Sequence, residues 1–592
     1  MIKYRYLLVI LCIPFNPIFA QKNEVPVLER EVTVNINNAP LQEALNDIAK
    51  QGDFVFSYNP DAIHASRNVS INVSHRPVRY TLNELFDGTV TYKVRGKYII
   101  LQENDNVQLA NKEQVIEGYI YDAGSGQKLT ETTVYDKNLL ASAITDKYGY
   151  FRLELPAGQA SAALHISKKG YADTLLAPLP GKVNYIDVEL SKSAAGNGLI
   201  EPPLITGNEK RIVLPQWLIP KKIKINAGNL TDTLFRKVQF SLIPFLSTNK
   251  LLTGNVTNNV SINLTAGYVQ EVRTIEVGGI LNMVRNNAGV CQLAGAGNIV
   301  GQSFHGFQAA GAWNIAGTMD GVQAAGAVNI VRNNAGVCQL AGAGNIVGGS
   351  FQGIQAAGAF NVTDKIKGMQ VAGAFNTARK VEGIQISGAV NNATEVTGGQ
   401  ISGYLNRASV VNGFQLSVIN IADSCNGIPI GVLSYVKKGY HKLELYADEV
   451  FYTNIAFRTG VERFHNIFLA GFRPGNFDNP LWTFGYGLGT TFGKSGKLLV
   501  DIDATVQQVI RNSNFIENNQ LYKIYAGIDK KLTPKFSVAA GFTYNFFASK
   551  PGSPGYENNY SGIIPYTFSD ATFSNGINLK TWPGVKISVR FF

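Results

Sequence analysis

The chain has 592 residues, with 53 Lys and Arg against 42 Asp and Glu and a formal net charge of +11. That is several domains' worth of chain. The basic cluster Lys221, Lys222 and Lys224 sits beside an apolar stretch without interleaved aromatics, which argues against a nucleic-acid partner. Outside the N-terminal leader the cysteines are Cys291, Cys338 and Cys425, too few and too unevenly placed for a disulfide framework.

The leader itself is informative. Lys3 and Arg5 precede an apolar run from Tyr6 to Phe15, and Ala20 precedes Gln21. This is the pattern of a secretory signal peptide over residues 1–20, cleaved after Ala20. A run of about ten apolar residues is too short to span a bilayer. Cys12 lacks the preceding small residue that a lipoprotein signal needs. No later run is long and apolar enough for a transmembrane helix, but strands of a β-barrel carry a weaker signal and are not excluded.

Residues 28–104 read as a small α/β domain. Glu31–Ile36 alternates as a strand, and Leu41, Ala44, Leu45 and Ile48 repeat at helical spacing. Phe54–Tyr58 and Val69–Val73 are strand-like. Thr81 with Glu84 forms a capping box that should open a short helix carrying Leu82, Leu85 and Phe86. Val90–Val94 and Tyr98–Leu101 close the unit as a hairpin across Arg95-Gly96. The order of elements, with LQEALNDIAKQGDFVFSYNPDAI and TLNELFDGTVTYKVRGKYIIL, resembles the secretin and TonB short N-terminal domain. The resemblance implies a periplasmic module that touches protein partners, often an inner-membrane regulator of transcription. It implies no catalytic residue.

Residues 113–191 read as a β-sandwich of short strands. GYIYDAGSGQKL, AITDKYGYFRLELPAG and LHISKKGY resemble the carboxypeptidase regulatory-like domain. Gly118, Asp122, Gly126, Asp146, Gly149, Phe151, Gly170 and Tyr171 fall on its usual positions. That module is a spacer and not a peptidase. Residues 192–236 read as linker, too short for the plug of a TonB-dependent receptor, so that family's transport machinery does not carry over.

From about 276 to 420 a repeat of 15–16 residues takes over. Gln292, Gln308, Gln323, Gln339, Gln355, Gln370, Gln385, Gln400 and Gln415 mark its beat, and for the first eight a glycine follows three residues on and an asparagine six. A fixed short period is one small unit copied along the chain. Each repeat alternates: Phe307, Ala309, Gly311, Trp313 and Ile315 against Gln308, Ala310, Ala312 and Asn314. Val284–Gly301 and Val331–Gly348 are identical, an internal duplication that also explains the equivalent Cys291 and Cys338. The pattern resembles the surface repeats of some bacterial envelope proteins. Two architectures fit. In a barrel meander Gln308 would lie across from Asn329 on a neighbouring antiparallel strand. In a solenoid Gln308 would stack on Gln323. The mid-strand glycine favours the solenoid. Continuity with the following strands favours the barrel, and the barrel is the stronger reading.

Those following strands alternate over membrane-spanning lengths. Trp482, Phe484, Tyr486, Leu488 and Phe492 share one face, against Thr483, Gly485, Gly487 and Gly489. Leu498, Val500, Ile502, Ala504 and Val506 oppose Asp501, Asp503 and Thr505. Phe536, Val538, Ala540, Phe542, Tyr544 and Phe546 oppose Ser537, Gly541, Thr543 and Asn545. Val585, Ile587, Val589 and Phe591 oppose Lys586, Ser588 and Arg590. The aromatic content and the terminal Phe591-Phe592 resemble outer-membrane barrels.

The expected fold is thus a small α/β domain, a β-sandwich and, over 237–592, an all-β antiparallel transmembrane barrel of roughly 20 strands. The alternative is a β-solenoid array followed by a smaller barrel. The candidate lumen-lining residues are Gln308, Asn314, Gln323, Asn329, Gln355, Asn361, Gln370, Asn376, Arg458, Asp501 and Asp503. Lys442, Glu444, Asp448 and Glu462 also suggest a charged interior. The six histidines fit no metal spacing, and neither a GxSxG elbow nor a P-loop occurs, so no enzyme, metal or cofactor is expected. The expected location is the outer membrane, with the N-terminal modules in the periplasm. The expected partners are outer-membrane lipid and a periplasmic or inner-membrane regulator met through residues 28–104. The expected function is solute transport or envelope signalling; the alternative is a surface-displayed structural or adhesive repeat protein.

Overall fold

A computed structural model describes residues 24–104, 113–156, 163–177, 183–193, 212–474, 480–493, 498–511, 519–550 and 563–591. The signal-peptide segment and Phe592 lie outside the described residues. The chain divides into two compact units, Met1–Glu201 with Lys221–Asp232, and Pro202–Pro220 with Thr233–Phe592.

In the first unit the helix Leu41–Gly52 turns the predicted stripe Leu41, Ala44, Leu45 and Ile48 fully inward. It packs against the antiparallel pair Glu31–Pro40 and Asn68–Pro77 and a three-stranded sheet that contains the expected 90–103 hairpin. The capping-box expectation is corrected. The second helix opens four residues early, at Val78, directly after Pro77. Proline holds its own φ and enters the helix from extended backbone, so the start is set there. Thr81 lies inside the helix, and its hydroxyl donates back to the Pro77 carbonyl at 3.3 Å.

Residues 113–193 form two sheets around Ile116, Ile120, Val134, Phe151, Leu153 and Ile166. Gly118 is required there, because a Cβ would stand 1.8 Å from the Ile186 carbonyl oxygen. Within the stretch read as linker, Lys221–Asn229 is helical and belongs to this unit. Its buried Asn229 donates to the Glu131 carbonyl at 2.7 Å.

The α/β module and the sandwich are joined by a buried polar contact. Glu29 is 5% exposed and accepts from Arg79 (Nη2, 2.9 Å) and from the Tyr119 hydroxyl (2.5 Å). Arg79 also lies over the Tyr150 ring, 4.2 Å from its centre. Burial, then the Glu29 carboxylate, push the Tyr119 phenol well above its ordinary value, so it stays a donor. Glu29→Ala strands Arg79 and should cost about 3 kcal/mol, whereas Tyr119→Phe should cost about 1 kcal/mol. Amide hydrogen exchange along Glu113–Asp122 reads both; equal exchange in the two variants would argue against the ion pair as the joint.

The second unit begins with the array. From Leu234 to Val436 the strands form one 22-stranded system. Gln308 pairs with Gln323 and Asn298 with Asn314, in parallel register, and the same holds as far as Gln415 and Asn420; the last coil keeps the parallel register with Pro429 and Ser434 in their places. This is a parallel solenoid with one coil per repeat. The antiparallel barrel of roughly 20 strands is therefore corrected: Gln308 lies beside Gln323 and not across from Asn329. Period-two alternation is common to both architectures, so it could not separate them.

Stacking explains the glycine column. A Cβ on Gly311, Gly326, Gly342, Gly358 or Gly373 would stand 2.0–2.1 Å from the carbonyl oxygen of the glycine one coil earlier. Only a residue without a Cβ lets the tight turns stack at strand spacing. Between successive coils Val300, Phe304, Ala316, Met319, Val331, Phe351, Val381 and their equivalents form one continuous core.

The chain then closes a separate eight-stranded antiparallel barrel. Its strands are Tyr440–Asp448, Thr453–Val461, Phe464–Arg473, Leu481–Phe492, Leu498–Arg511, Gln520–Thr533, Phe536–Ser549 and Asn578–Phe591. The last pairs with the first, Val589 opposite Leu445, which closes the wall.

Candidate functional site

The barrel is built with apolar residues outside and charge inside. Trp482 is 51% exposed, Phe484 52%, Ile502 45% and Ile587 62%, all on the outer face. Aromatics gather near both ends of the wall, Phe472 against Trp482 at one and Phe536 against Phe591 at the other. The alternate positions point inward and are buried. Lys442, Arg458, Lys523, Lys586 and Arg590 face Glu444, Asp448, Asp501, Asp503 and Asp529, five cations and five carboxylates.

These charges are paired. The Arg458 guanidinium donates to Glu444 (Nε, 2.9 Å) and to Asp503 (Nη1, 2.9 Å). Arg590 donates to Glu444 (Nε, 3.0 Å), to Asp529 (2.9 Å) and to Asp501. Lys586 also reaches Glu444 at 3.1 Å, and Lys523 pairs with Asp448. A fork of planar donors can hold several carboxylates at once, which is why arginine occupies the two central places. The cavity between Arg458, Asp503, Lys523 and Lys586 measures about 20 Å³, room for about one water. An eight-stranded barrel is just wide enough for its side chains to fill it.

Of the sequence-predicted lumen residues, Arg458, Asp501 and Asp503 are brought together here. Arg590 and Glu444 are equally central. Arg590 was visible as the polar member of the last strand, but its partners are 61 to 146 residues away in sequence.

The predicted amides go elsewhere. Gln308, Gln323, Gln355 and Gln370, with Asn314, Asn329, Asn361 and Asn376, are fully buried inside the solenoid. They form two hydrogen-bonded ladders. Each Gln donates backward, as in Gln323 to Gln308 (2.7 Å) and Gln370 to Gln355 (2.8 Å). Each Asn donates forward, as in Asn314 to Asn329 and Asn361 to Asn376 (both 2.9 Å). The second Asn hydrogen also reaches a backbone carbonyl, Val371 in the case of Asn361. An amide carries both a donor and an acceptor, so identical amides in register satisfy one another without water. The Gln ladder ends on buried Glu276, which accepts from Gln292 at 2.7 Å. Cys291 and Cys338 are free and stand three coils apart, roughly 14 Å at strand spacing, beyond disulfide reach.

The last coil lies along the outer barrel wall. Tyr486, midway along its strand, donates to the Gly431 carbonyl at 3.1 Å, and Asn466 donates to the same oxygen at 2.7 Å. Beside Asn466, Thr459 donates to the Ser434 carbonyl at 3.1 Å. At the foot of the wall Val461 and Phe464, flanking the short 462–463 turn, pack against the solenoid core and close its end. No family model, no curated protein and no solved structure matches the chain.

Proposed function

We propose that the barrel is an outer-membrane anchor, and that the protein works in envelope signalling or scaffolding through the modules this anchor holds. The observation that carries the reading is the inverted polarity of the barrel: bulky apolar residues outside, paired charges within. In water such a wall would expose one continuous apolar band, far beyond what soluble domains carry. In lipid it is the expected pattern, with strands of about 9–14 residues and aromatic ends.

The filled interior speaks against solute passage, so anchoring replaces transport as the favoured role. The ends of the barrel support an orientation. The connections 462–463, 493–497 and 534–535 at one end are two, five and two residues long, whereas the opposite end carries 449–452 and the longer 474–480, 512–519 and 550–577. Short turns face the periplasm in barrels of this kind. The solenoid enters at the short-turn end, which supports a periplasmic solenoid over a surface-displayed adhesive one. The module at 28–104 is the proposed contact for a periplasmic or inner-membrane regulator.

The full-length protein should sediment with outer membranes, resist alkaline extraction and migrate faster on a gel before heating than after. Ile502→Lys, on the outer wall, should cost about 2–4 kcal/mol and reduce the fast-migrating form. Recovery of the full-length chain as a detergent-free soluble monomer would sink the proposal. In planar bilayers no large conductance is expected; a stable open pore would restore the transport reading.

A further inference from the structure

The solenoid has two unlike edges. In Phe307–Ile315 and the equivalent segments 322–330, 338–346, 354–362, 369–377 and 384–392 there is no charged side chain. Phe307, Leu340, Ile354 and Phe375 are exposed on either side of a Gly-Ala tip, with Ile354 at 50%. The opposite edge collects the charges and pairs them from coil to coil. Arg379 binds Asp364 at 2.7 Å, Lys365 binds Glu382 at 2.9 Å and Lys380 binds Glu395 at 3.3 Å.

The backbone N–H groups at the tip are satisfied internally. Gly358 donates to Ala341, Ala359 to Ala343 and Phe360 to Ala343, at 2.9–3.2 Å, and the other coils repeat this. Unpaired peptide groups are costly in lipid, and the pairing of the tip N–H groups lowers that cost. Height is fixed by the barrel wall. The tip residue Gly431 is held by Asn466, two residues above Phe464, and by the Tyr486 hydroxyl from above, while Val436, toward the charged edge, packs beside Val461 and Phe464 at the foot. The apolar edge is about four residues deep on each face, roughly 10–13 Å, enough to cover the roughly 5–10 Å to which monotopic segments are buried.

We propose that the solenoid inserts its Gly-Ala edge into one leaflet, the one nearer the short turns, of the membrane that holds the barrel. The inference rests on the membrane reading of the barrel. The occupant is lipid: the edge is continuous with the barrel's apolar wall, and its charges are segregated to the other side. A groove of about 860 Å³ along the tip, lined by Leu293, Ala309, Ala324, Leu340, Ala356 and Val371, offers acyl chains an uncharged bed.

The test uses the full mature chain with its three cysteines replaced by serine, reconstituted in phosphatidylethanolamine–phosphatidylglycerol vesicles. Single cysteines at Ala359→Cys (tip), Lys367→Cys (charged edge) and Ile502→Cys (barrel wall) carry an environment-sensitive fluorophore. Labels at 359 and 502 should emit blue-shifted and lose emission when doxyl-labelled lipids are included; the label at 367 should do neither. A lipid-quenched label at 502 with a water-exposed label at 359 overturns this inference alone. A water-exposed label at 502 overturns the barrel reading itself. A blue-shifted label at 359 that doxyl lipid does not quench, and that reverts on dilution of the protein, assigns the edge to a second copy and overturns the lipid proposal.

Discussion

Arg590→Met should destabilise the barrel by about 4 kcal/mol, the loss found when one partner of a buried ion pair is removed. Arg590 is fully buried and touches Glu444, Asp501 and Asp529. Its removal leaves four buried cations against five carboxylates. The three carboxylates are not stranded equally. Glu444 keeps Arg458 and Lys586, and Asp501 keeps the Thr491 hydroxyl at 2.7 Å. Asp529 keeps the charge of nearby Lys442 but loses the guanidinium that donates to it. Arg590→Met with Asp529→Asn should therefore recover part of the loss, while Arg590→Lys, which keeps the charge without the fork, should fall between. The measurement is the urea concentration at which the fast-migrating, unheated form disappears. If Arg590→Met matches the parent protein, water already solvates these carboxylates and the interior is not sealed.

Gly358→Ala should open the solenoid locally, at a cost of about 3 kcal/mol, the upper end for overpacking by one methyl group. The new Cβ would stand 2.1 Å from the Gly342 carbonyl oxygen and 3.2 Å from its carbon. That obstacle is backbone, held on both sides by neighbouring coils, so no rotamer change relieves it. The coils would have to part there, stretching the bonds from Gly358 to Ala341 and from Ala359 to Ala343. A stack coupled only to nearest neighbours should fray at the defect and leave distant coils and the barrel intact. Hydrogen exchange should accelerate in coils near 342–373 and stay unchanged in 453–473. Ala359→Tyr supplies the control in the same turn, since the equivalent residue nine-tenths of the way along the array is Tyr404, 57% exposed. If both variants exchange alike, stacking does not require the glycine.

The parts of this architecture differ in how far the sequence reveals them. The barrel strands were legible, because each alternates strictly over nine or more residues: Leu481–Phe492 has the bounds expected of it, and the outer face of Leu498–Val506 is the apolar one. The closure was not legible, because pairing Leu443 with Phe591 joins residues far apart in sequence and leaves no local mark. The array was misread through its strongest pattern. Gln308 and Ala310 alternate with Phe307 and Ala309 whether the next strand runs parallel or antiparallel. The glycine, read as mid-strand but found in the tight turn between Ala310 and Trp313, carried the decisive information, since only an in-register parallel stack aims a Cβ at the carbonyl one coil back. Amide polarity was also invisible: glutamines suit a wet lumen and a dry ladder equally, and only the burial of Gln323 and its bond to Gln308 distinguish them. At Pro77 the reading failed for a smaller reason. Two helix-start signals stood four residues apart, and the proline prevailed over Thr81.

The two amide ladders run in opposite directions, and this bears on how such a chain grows. A row of aligned amides accumulates a dipole with its length, as a helix does, and a longer row would strain its ends. Here the Gln row and the Asn row oppose each other coil by coil, so an added coil contributes little net field. Each coil also meets its neighbours through the same bonds, whatever its position. The array is in that sense a ruler whose graduations can be added or deleted while both end fittings stay the same. The exact repetition of Val284–Gly301 at Val331–Gly348 records such an edit, three graduations long. By strand spacing it lengthened the reach from the barrel by roughly 14 Å.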